Sequence, residues 1–321
     1  MSRYLAFAAA LVLAVAPFAA PAQTYPAKPV RILVPYAPGG GTDVLTRVLA
    51  KQLSEATGQS FVVENHGGAS ATIGPAMAAK AAPDGYTLVA ISGVPYLINQ
   101  FMFKSLPYDT VADFEPVSRF ASVPMLLVTH PSFAPDTAAK FIAYARENPG
   151  KVNFGASDEM THLAMTIITQ GTNSKVTIVP YKGAGPAITD LLGGHIPAML
   201  SSSSAIMPHV KENRVRVLAI TTRSRWSALP AVPTVDESIL PGFELNAWFA
   251  VLAPAKTPRE IVNYLHGEIA KAVRVPEVAS RFEGLGASPI EMLSPTDFAV
   301  YLRAERERWG KAFRDSGMPS Q

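Results

Sequence analysis

The sequence predicts an α/β fold in which two lobes enclose a cleft. Short apolar strands alternate with amphipathic helices along the chain, a pattern typical of helices layered on parallel sheets. The roughly 300 residues that follow an apolar N-terminal leader exceed one typical domain and suit two. A unit made of a strand, a small polar loop and a helix start recurs in both halves. We therefore expect each lobe to present such loops at the carboxyl ends of its strands.

Residues 1–22 have the pattern of a cleaved signal peptide. Arg3 provides a basic n-region, residues 5–16 form the apolar h-region, and Ala20-Pro21-Ala22 is a small-x-small cleavage site. A membrane anchor is disfavoured, because prolines follow the apolar run and it is shorter than the roughly 20 residues that span a bilayer. The chain has 0 cysteines, which excludes a lipid-modified N-terminal Cys and a disulfide scaffold. We therefore expect export, cleavage near Ala22 and a soluble mature protein.

The first half contains three predicted strands. Residues 31–36 form the first and lead into a helix whose apolar positions recur at helical spacing until Gly58, a typical C-cap. Residues 61–63 form the second strand, and the next helix ends at the turn 83–85. Residues 87–91 form the third strand, which ends at Ser92 and Gly93. We expect this end to face the same crevice as the loop after the first strand.

The loop after the first strand has the composition of an anion-binding site. Gly39, Gly40 and Gly41 let the main chain approach a ligand closely, because no Cβ blocks it. Thr42 and Asp43 follow at a helix start, where unpaired N–H groups and the positive end of the helix dipole attract an anion. Asp43 also has a structural interpretation, since Asp is favoured as a cap near helix starts.

The second half repeats this pattern with different residues. A helix at 137–147 follows the first of its strands, and Pro186 is expected at a first helical position. The predicted strands are residues 126–128, 152–154, 176–179 and 196–200, and the last three lead into polar loops at 155–162, 181–186 and 201–204. Loops of this kind in both halves suggest the two jaws of a clamp.

Seven segments, in order along the chain, match the motifs of a known family. They are residues 29–43, 82–88, 106–109, 179–183, 189–194, 229–234 and 248–255. Together they resemble the Bug (TctC-like) family, the periplasmic receptors of tripartite tricarboxylate transporters. The resemblance implies a type II periplasmic-binding-protein fold, with lobe 1 formed by residues 23–125 plus 248–321 and lobe 2 by residues 126–247. Crossing segments near 124–127 and 246–249 would join the lobes.

The resemblance also implies a function and a ligand site. The protein would capture a small di-, tri- or aromatic carboxylate by lobe closure and deliver it to the permease subunits of a transporter or signal to a sensor kinase. The glycine loop would hold one carboxylate through backbone N–H groups and bridging water. We expect a monomer without metal or cofactor, and these ligand-binding residues: Tyr36, Gly39, Gly40, Gly41, Thr42, Asp43, Ser92, Gly93, Ser157, Thr161, His162, Tyr181, Gly183 and Ser201.

Three features depart from the family pattern. His66-Gly67-Gly68 replaces Arg-Pro-Gly, the loop at 155–162 is shorter, and Ser201 stands where the family usually has Asp. The last change argues against an amino-acid ligand, whose ammonium group needs a carboxylate, and favours a plain or aromatic carboxylate. Structural alternatives remain for His162 as a surface histidine, for Tyr181 and Trp248 as packing residues, and for residues 201–204 as an ordinary polar loop.

Other functional classes have little support in the sequence. The formal net charge is only +3, with no run of lysine or arginine, which disfavours nucleic-acid binding. A dinucleotide site fails because Val44 stands where a third glycine is needed, although Glu64 has the spacing of a ribose-binding acid. Phosphate-loop, zinc-protease and nucleophile-elbow motifs are absent. We expect no catalysis, and the alternative left open is a secreted hydrolase or isomerase acting on a small organic acid.

Overall fold

A computed structural model of the chain describes residues 25–288, 290, 292–318 and 320. The signal peptide predicted for residues 1–22, with its cleavage site, lies outside the described residues. Within them the chain forms a nine-stranded mixed sheet with helices packed around it. The predicted α/β class is confirmed.

Seven of the described strands follow the predicted order. The described strands are β1 (Val30–Val34), β2 (Phe61–Asn65), β3 (Thr87–Ser92), β4 (Phe114–Thr129), β5 (Asn153–Ala156), β6 (Thr177–Pro180), β7 (Ala198–Ser202), β8 (Arg216–Ile220) and β9 (Asn246–Pro254). Of these, β4 is much longer than predicted, and β8 and β9 were not predicted as strands. The strand predicted at residues 126–128 is the end of the 16-residue β4. Prolines and polar residues interrupt the apolar pattern of its first part, where the register against β9 also shifts twice.

The helices confirm the predicted alternation. They are α1 (Gly41–Thr57), α2 (Ile73–Ala79), α3 (Gly93–Met102), α4 (Ala138–Glu147), α5 (Glu159–Gly171), α6 (Ala184–Leu192), α7 (Ser203–Lys211), α8 (Val235–Ser238), α9 (Arg259–Ala272), α10 (Pro276–Gly284) and α11 (Pro295–Ser316). As predicted, α1 ends at Gly58, which adopts the left-handed conformation. Pro186 was expected at the first position of α6, but it is the third residue of this helix.

The strand order is β2-β1-β3-β9-β4-β7-β5-β6, with β8 also paired to β4. We define lobe 1 by β2, β1, β3, β9 and the first part of β4, and lobe 2 by the end of β4 with β7, β8, β5 and β6. The chain passes from lobe 1 to lobe 2 within one strand, because β4 pairs with β9 up to Pro124, with β7 from Met125 and with β8 from Leu126. The predicted boundaries at 125/126 and 247/248 stay a prediction.

The sheet is mixed and not purely parallel. β1 pairs in parallel with β2 and β3, and β5 pairs in parallel with β6 and β7. The long strands β4 and β9 run antiparallel to their neighbours, which the expectation of parallel sheets missed. Since the parallel strands of each lobe end on one edge of its sheet, the loops after β1, β3, β5, β6 and β7 are the candidates for lining the cleft.

Candidate functional site

The glycine loop links β1 to α1 and is held in place by Asp43. Its carboxylate accepts hydrogen bonds from Gly39 N at 2.9 Å, Arg47 Nε at 2.9 Å and Asn65 Nδ2 at 2.9 Å. Burial by itself raises the pKa of Asp43, but the hydrogen bonds from Arg47, Gly39 and Asn65 outweigh this effect, so the pKa is lowered and the carboxylate stays ionised. The side chain of Asp43 therefore fixes the shape of the loop, and its predicted ligand contact stays a prediction.

The three glycines of the loop have different roles. Gly39 has a φ of +88°, which favours glycine. Gly40 has an ordinary extended backbone and is the N-cap of α1, and no side chain among the described residues caps this helix. Gly41 is needed for its small size, because a Cβ there would lie 2.7 Å from the Oγ of Ser204 in lobe 2. The start of α1 thus leaves its N–H groups uncapped and touches the opposite lobe.

A second uncapped helix start faces the first one. Ser202 is the N-cap of α7, and within the described part of the chain this helix also lacks a side-chain cap. The Oγ of Ser204 donates to that of Ser202 at 3.1 Å, and a Cβ on Gly41 would lie 3.5 Å from the Ser202 oxygen. The positive ends of α1 and α7 therefore meet at Gly41 and Ser204, one from each lobe. We call this place the anion cradle.

Ser201 lies apart from the anion cradle. It is only 1% exposed, and its hydroxyl donates weakly to the carbonyl oxygen of Ser202 at 3.4 Å. Because successive side chains of a strand point to opposite faces, Ser201 and Ser202 cannot both face the cleft. Ser202, and not the predicted Ser201, lies next to Gly41, and a ligand contact of Ser201 stays a prediction.

Gly93, which follows Ser92 at the end of β3, packs against Trp248. A Cβ on Gly93 would lie 2.1 Å from the ring of Trp248, so this glycine makes room for the ring. Trp248 is buried and packs edge-to-face on Phe298 and Tyr301 of α11, which agrees with its interpretation as a packing residue.

Tyr36, which follows β1, is hydrogen-bonded to Ser92 at the end of β3. Burial raises the pKa of Tyr36, the nearby Asp158 carboxylate and Tyr108 raise it further, and a hydrogen bond with Ser92 lowers it. The hydroxyl of Tyr36 is therefore neutral and lies close to a carboxylate of lobe 2.

The loop before α5 satisfies its own helix start. Asp158 is the N-cap, and one of its carboxylate oxygens accepts from Thr161 N at 2.8 Å. The hydroxyl of Thr161 donates to the carbonyl oxygen of Asp158 at 2.8 Å and accepts from its N–H at 3.2 Å, which completes a capping box. Thr161 is 0% exposed and its hydroxyl has this capping role, and the predicted ligand contact stays a prediction. Ser157 is buried next to Asp158.

The remaining predicted site residues are His162 in α5, Tyr181 and Gly183 between β6 and α6, and Thr42 in α1 of lobe 1. His162 is half-buried, and burial lowers its pKa. Tyr181 donates its hydroxyl to Asp190 Oδ2 at 2.7 Å, a contact within lobe 2; burial and Asp190 raise its pKa to about 12. Gly183, at a φ of +110°, is the N-cap of α6. Thr42 is buried in the first turn of α1.

One contact across the cleft comes from residues that sequence reasoning missed. The 3-10 turn Ala69–Ala71 has three successive non-glycine residues with positive φ, 45°, 50° and 66°. The middle residue, Ser70, donates its hydroxyl to Glu159 Oε1 at 3.2 Å, which joins lobe 1 to lobe 2. Strained backbone of this kind often marks functional sites. The acidic pair Asp158-Glu159 was visible in the sequence, but only the fold places it opposite Ser70.

A separate cavity of about 310 Å³ lies away from these residues. It is lined by α5, α11 and the segment 240–245, which leads into β9. No group of three or more metal-ligating side chains occurs in the part of the chain that the structure describes. In that same part, no helix combines the length and the apolar character needed to cross a bilayer.

Comparison with known proteins identifies close relatives over the whole chain. The sequence profile described as "Tripartite tricarboxylate transporter family receptor" matches residues 45–318. The BugT protein of Bordetella pertussis is 38% identical over 322 aligned residues, which cover 99% of this chain and 98% of BugT. The resemblance that the sequence motifs indicated is therefore confirmed.

Solved structures confirm the fold. The R. palustris protein Rpa4515, determined with adipate, is 35% identical and superposes with a TM-score of 0.87, covering 91% of this chain and 98% of that protein. MatC of Rhodopseudomonas palustris, determined with bound malate, is 29% identical with a TM-score of 0.83, covering 90% of this chain and 99% of that protein. Both neighbours hold small carboxylates.

Proposed function

Because this chain belongs to the family of tripartite tricarboxylate transporter receptors, we propose that it captures a small carboxylate in the anion cradle and delivers it to such a transporter. The observation that carries the proposal is the meeting of two uncapped helix starts, α1 at Gly41 and α7 at Ser204, across the cleft. Free N–H groups and two helix dipoles point to one place and favour a negative charge there.

The cradle suits a carboxylate because its donors are backbone and hydroxyl groups. Ser202 and Ser204 add two hydroxyls to the N–H groups of both helices. Asp43 holds the loop in the required shape, and its own charge is already matched by Arg47. A site built in this way binds an anion without a dedicated cation, and bridging water allows it to accept more than one carboxylate shape. The adipate and malate complexes of relatives support this ligand class.

The lobe arrangement suggests how capture occurs. In our proposal lobe 1 comprises residues 23–125 and 248–321, lobe 2 comprises residues 126–247, and closure takes place about the crossing segments of β4 and β9. The ligand first meets α1, and closure then brings Ser202 and Ser204 onto it while excluding water. The ligand shifts the equilibrium toward the closed form because it gains contacts from both lobes only there.

The family also indicates where and with what the protein works. TctC receptors are periplasmic and serve tripartite transporters, so we place the mature chain, cleaved near Ala22, in the periplasm. Its partners in this proposal are the permease subunits, with a sensor kinase as a second route. We further propose that the protein acts as a monomer and leaves its ligand chemically unchanged.

A thermal-shift experiment with matched ligands tests this function. Purified protein from residue 23 onward is titrated with hexanoate, benzoate, succinate and citrate, and with hexanamide and benzamide as neutral partners of the first two. A true ligand at 100 times its dissociation constant adds about 2.7 kcal/mol to the free energy of unfolding. We expect acids to stabilise the protein and the matched amides to lose most of the effect. Equal shifts for acid and amide would contradict the cradle, and conversion of the recovered ligand in mass spectrometry would indicate an enzyme.

A further inference from the structure

The cavity of about 310 Å³ is bounded by elements of both lobes. Lobe 2 contributes α5 and the segment 240–245, whose last residue, Leu245, donates its N–H to the carbonyl oxygen of Thr221 at 2.8 Å. The remaining wall is the second half of α11, which packs on α3, the helix after β3 of lobe 1. A Cβ on Gly310 of α11 would lie 2.4 Å from the ring of Phe101. The cavity therefore lies at the junction of the lobes, next to the start of the crossing strand β9.

The wall of this cavity is mainly apolar. Its apolar side chains include Ala164, Ile167, Leu240, Phe243, Trp309 and Ala312. Pockets for small molecules usually measure about 300–1,000 Å³ and are lined mostly by hydrophobic and aromatic groups. The cavity has this composition and a volume at the lower end of the range. It therefore suits a compound of about the size of indole.

Polar groups of the wall are paired with other protein atoms. Trp309 Nε1 donates to Glu305 Oε2 at 3.0 Å. Arg308 donates from Nη1 to Glu305 Oε1 at 3.2 Å and from Nη2 to the carbonyl oxygen of Glu244 at 3.2 Å. The charge of Arg308 is thus matched by Glu305, and Glu244 is an exposed residue, where an ion pair contributes little. A charged ligand would lose hydration without a matched partner, so the cavity favours an uncharged one.

The structure shows the cavity in the conformation in which the lobes touch. Across the cleft, a Cβ on Gly41 would lie 2.7 Å from Ser204 Oγ. Beside the cavity, Gln170 of α5 donates its side-chain amide to the carbonyl oxygen of Ser316 in α11 at 2.8 Å. The lobe closure proposed above moves α5 and the segment 240–245 relative to α11. The shape of the cavity is therefore coupled to closure.

We propose that this cavity is a regulatory site, which binds a small uncharged aromatic or alicyclic compound and thereby strengthens carboxylate binding in the anion cradle. The coupling rests on the proposed function, since it requires a ligand in the cradle. A compound that fills the cavity favours the conformation in which the lobes touch, because moving the walls apart loses packing contacts. By linkage, the compound and the carboxylate raise the affinity for each other by the same factor.

Direct titration tests the cavity in the absence of a carboxylate. The mature protein is titrated with indole, cyclohexanol and benzyl alcohol, and with benzylammonium as the charged partner of benzyl alcohol. We expect uncharged probes to bind with a Kd of about 1 mM or below, and benzyl alcohol to bind about tenfold or more tightly than benzylammonium. The chain has 3 tryptophans, and we expect the largest shift of an indole N–H signal in protein NMR at Trp309.

Cavity-filling variants locate the bound probe. Ala312→Phe fills the cavity from α11, and Ile167→Trp fills it from α5 as an independent second variant. Ala304→Phe is the matched control, because Ala304 is an exposed residue earlier in α11 and is not part of the wall. Circular dichroism checks the folding of each variant. We expect the filling variants to lose at least about tenfold in probe affinity and the control to bind as wild type does.

Titration calorimetry then measures the coupling. A carboxylate that stabilises the protein is titrated with and without a saturating uncharged probe. We expect the probe to raise carboxylate affinity about fivefold or more in wild type and in Ala304→Phe. In Ala312→Phe and Ile167→Trp the probe should leave the carboxylate affinity unchanged.

The outcomes separate this inference from the proposed function. If the uncharged probes do not bind, or bind the filling variants as well as wild type, the cavity is not a ligand site. If benzylammonium binds as tightly as benzyl alcohol, the assigned ligand chemistry is wrong. If a probe binds in the cavity but carboxylate affinity stays the same or falls, the regulatory role is wrong and the proposed function stands. If no carboxylate binds, the proposed function and the coupling are both wrong, and the direct titration still decides whether the cavity binds a ligand.

Discussion

The starts of α1 and α5 are built from similar parts but with opposite results. Each follows a parallel strand, and each has an aspartate that binds back to the main chain of its own loop. Asp43 lies in the first turn of α1 and reaches backward to Gly39, ahead of the helix. Asp158 lies at the N-cap of α5 and reaches forward to Thr161, inside the helix.

The position of the carboxylate decides whether a helix start is open to an anion. In α1 the aspartate shapes the loop, and the N–H groups of the first turn remain uncapped. In α5 the capping box uses those donors, and the carboxylate places a negative charge where an anionic ligand would bind. The lesson is that a polar strand-end loop followed by a helix is not sufficient for an anion site.

Gly41→Val should produce the largest effect on binding. A Cβ at this position would lie 2.7 Å from Ser204 Oγ, so the bulkier side chain prevents the two helix starts from meeting. We expect affinity for a stabilising carboxylate to fall by at least about 100-fold in titration calorimetry. Gly40→Ala is the matched control, because a Cβ there has only the carbonyl oxygen of Ala37 nearby, at 3.8 Å. Similar losses for the two variants would contradict the steric explanation.

Asp43→Asn should lower both the ligand affinity and the free energy of unfolding. The variant loses the charge that matches Arg47 and one of the bonds to Gly39 and Asn65, so we expect a roughly tenfold loss of affinity and about 1–3 kcal/mol of unfolding free energy at pH 7. Because the pKa of Asp43 is lowered in the fold, its contribution is present above its unfolded pKa of about 3.9 and is lost as the pH falls through the folded value.

The pH dependence of this difference can be measured directly. Urea unfolding of wild type and Asp43→Asn should show a constant difference from about pH 5 to 8 and a shrinking one below about pH 4. A difference that grows on acidification would show that the Asp43 carboxylate does not stabilise the loop.

Thr161→Ala should affect stability and leave ligand dissociation nearly unchanged. The hydroxyl belongs to the capping box with Asp158, so its loss should cost about 0.5–1.5 kcal/mol of unfolding free energy. Stopped-flow measurement of the dissociation rate provides the second readout. If the rate rises several-fold while stability is unchanged, the loop before α5 contacts the ligand after all and the contrast with α1 fails.

The pair Ser202→Ala and Ser201→Ala should show the smallest effects. Neither hydroxyl caps α7, so we expect both variants to keep wild-type stability within about 0.5 kcal/mol. Ser202→Ala should weaken binding about threefold to tenfold through loss of one hydroxyl in the cradle, whereas Ser201→Ala should bind as wild type does. The reverse order would place the other face of β7 in the cleft.

Most of the fold could be predicted because its signals are local. The apolar positions Leu45, Leu49 and Leu53 define one face of α1. The helix ends at Gly58 because glycine readily adopts the left-handed backbone conformation of a C-cap. The strand β4 was mostly missed, because its prolines and polar residues break the alternation and its bulges depend on pairing with β9. Pairing across the sheet is a long-range property that no local pattern contains.

Some features of the candidate site could likewise be predicted from local sequence, and others depend on tertiary contacts. The sequence alone determined the family, the α/β class and the glycine loop with its helix, because composition and spacing specify turns and helix starts. Only the tertiary structure decided which helix starts are open, which serine of β7 faces Gly41, and that Ser70 meets Glu159. These features depend on side-chain direction and on contacts between residues far apart in the chain, and both follow from how the two sheets are joined through β4 and β9.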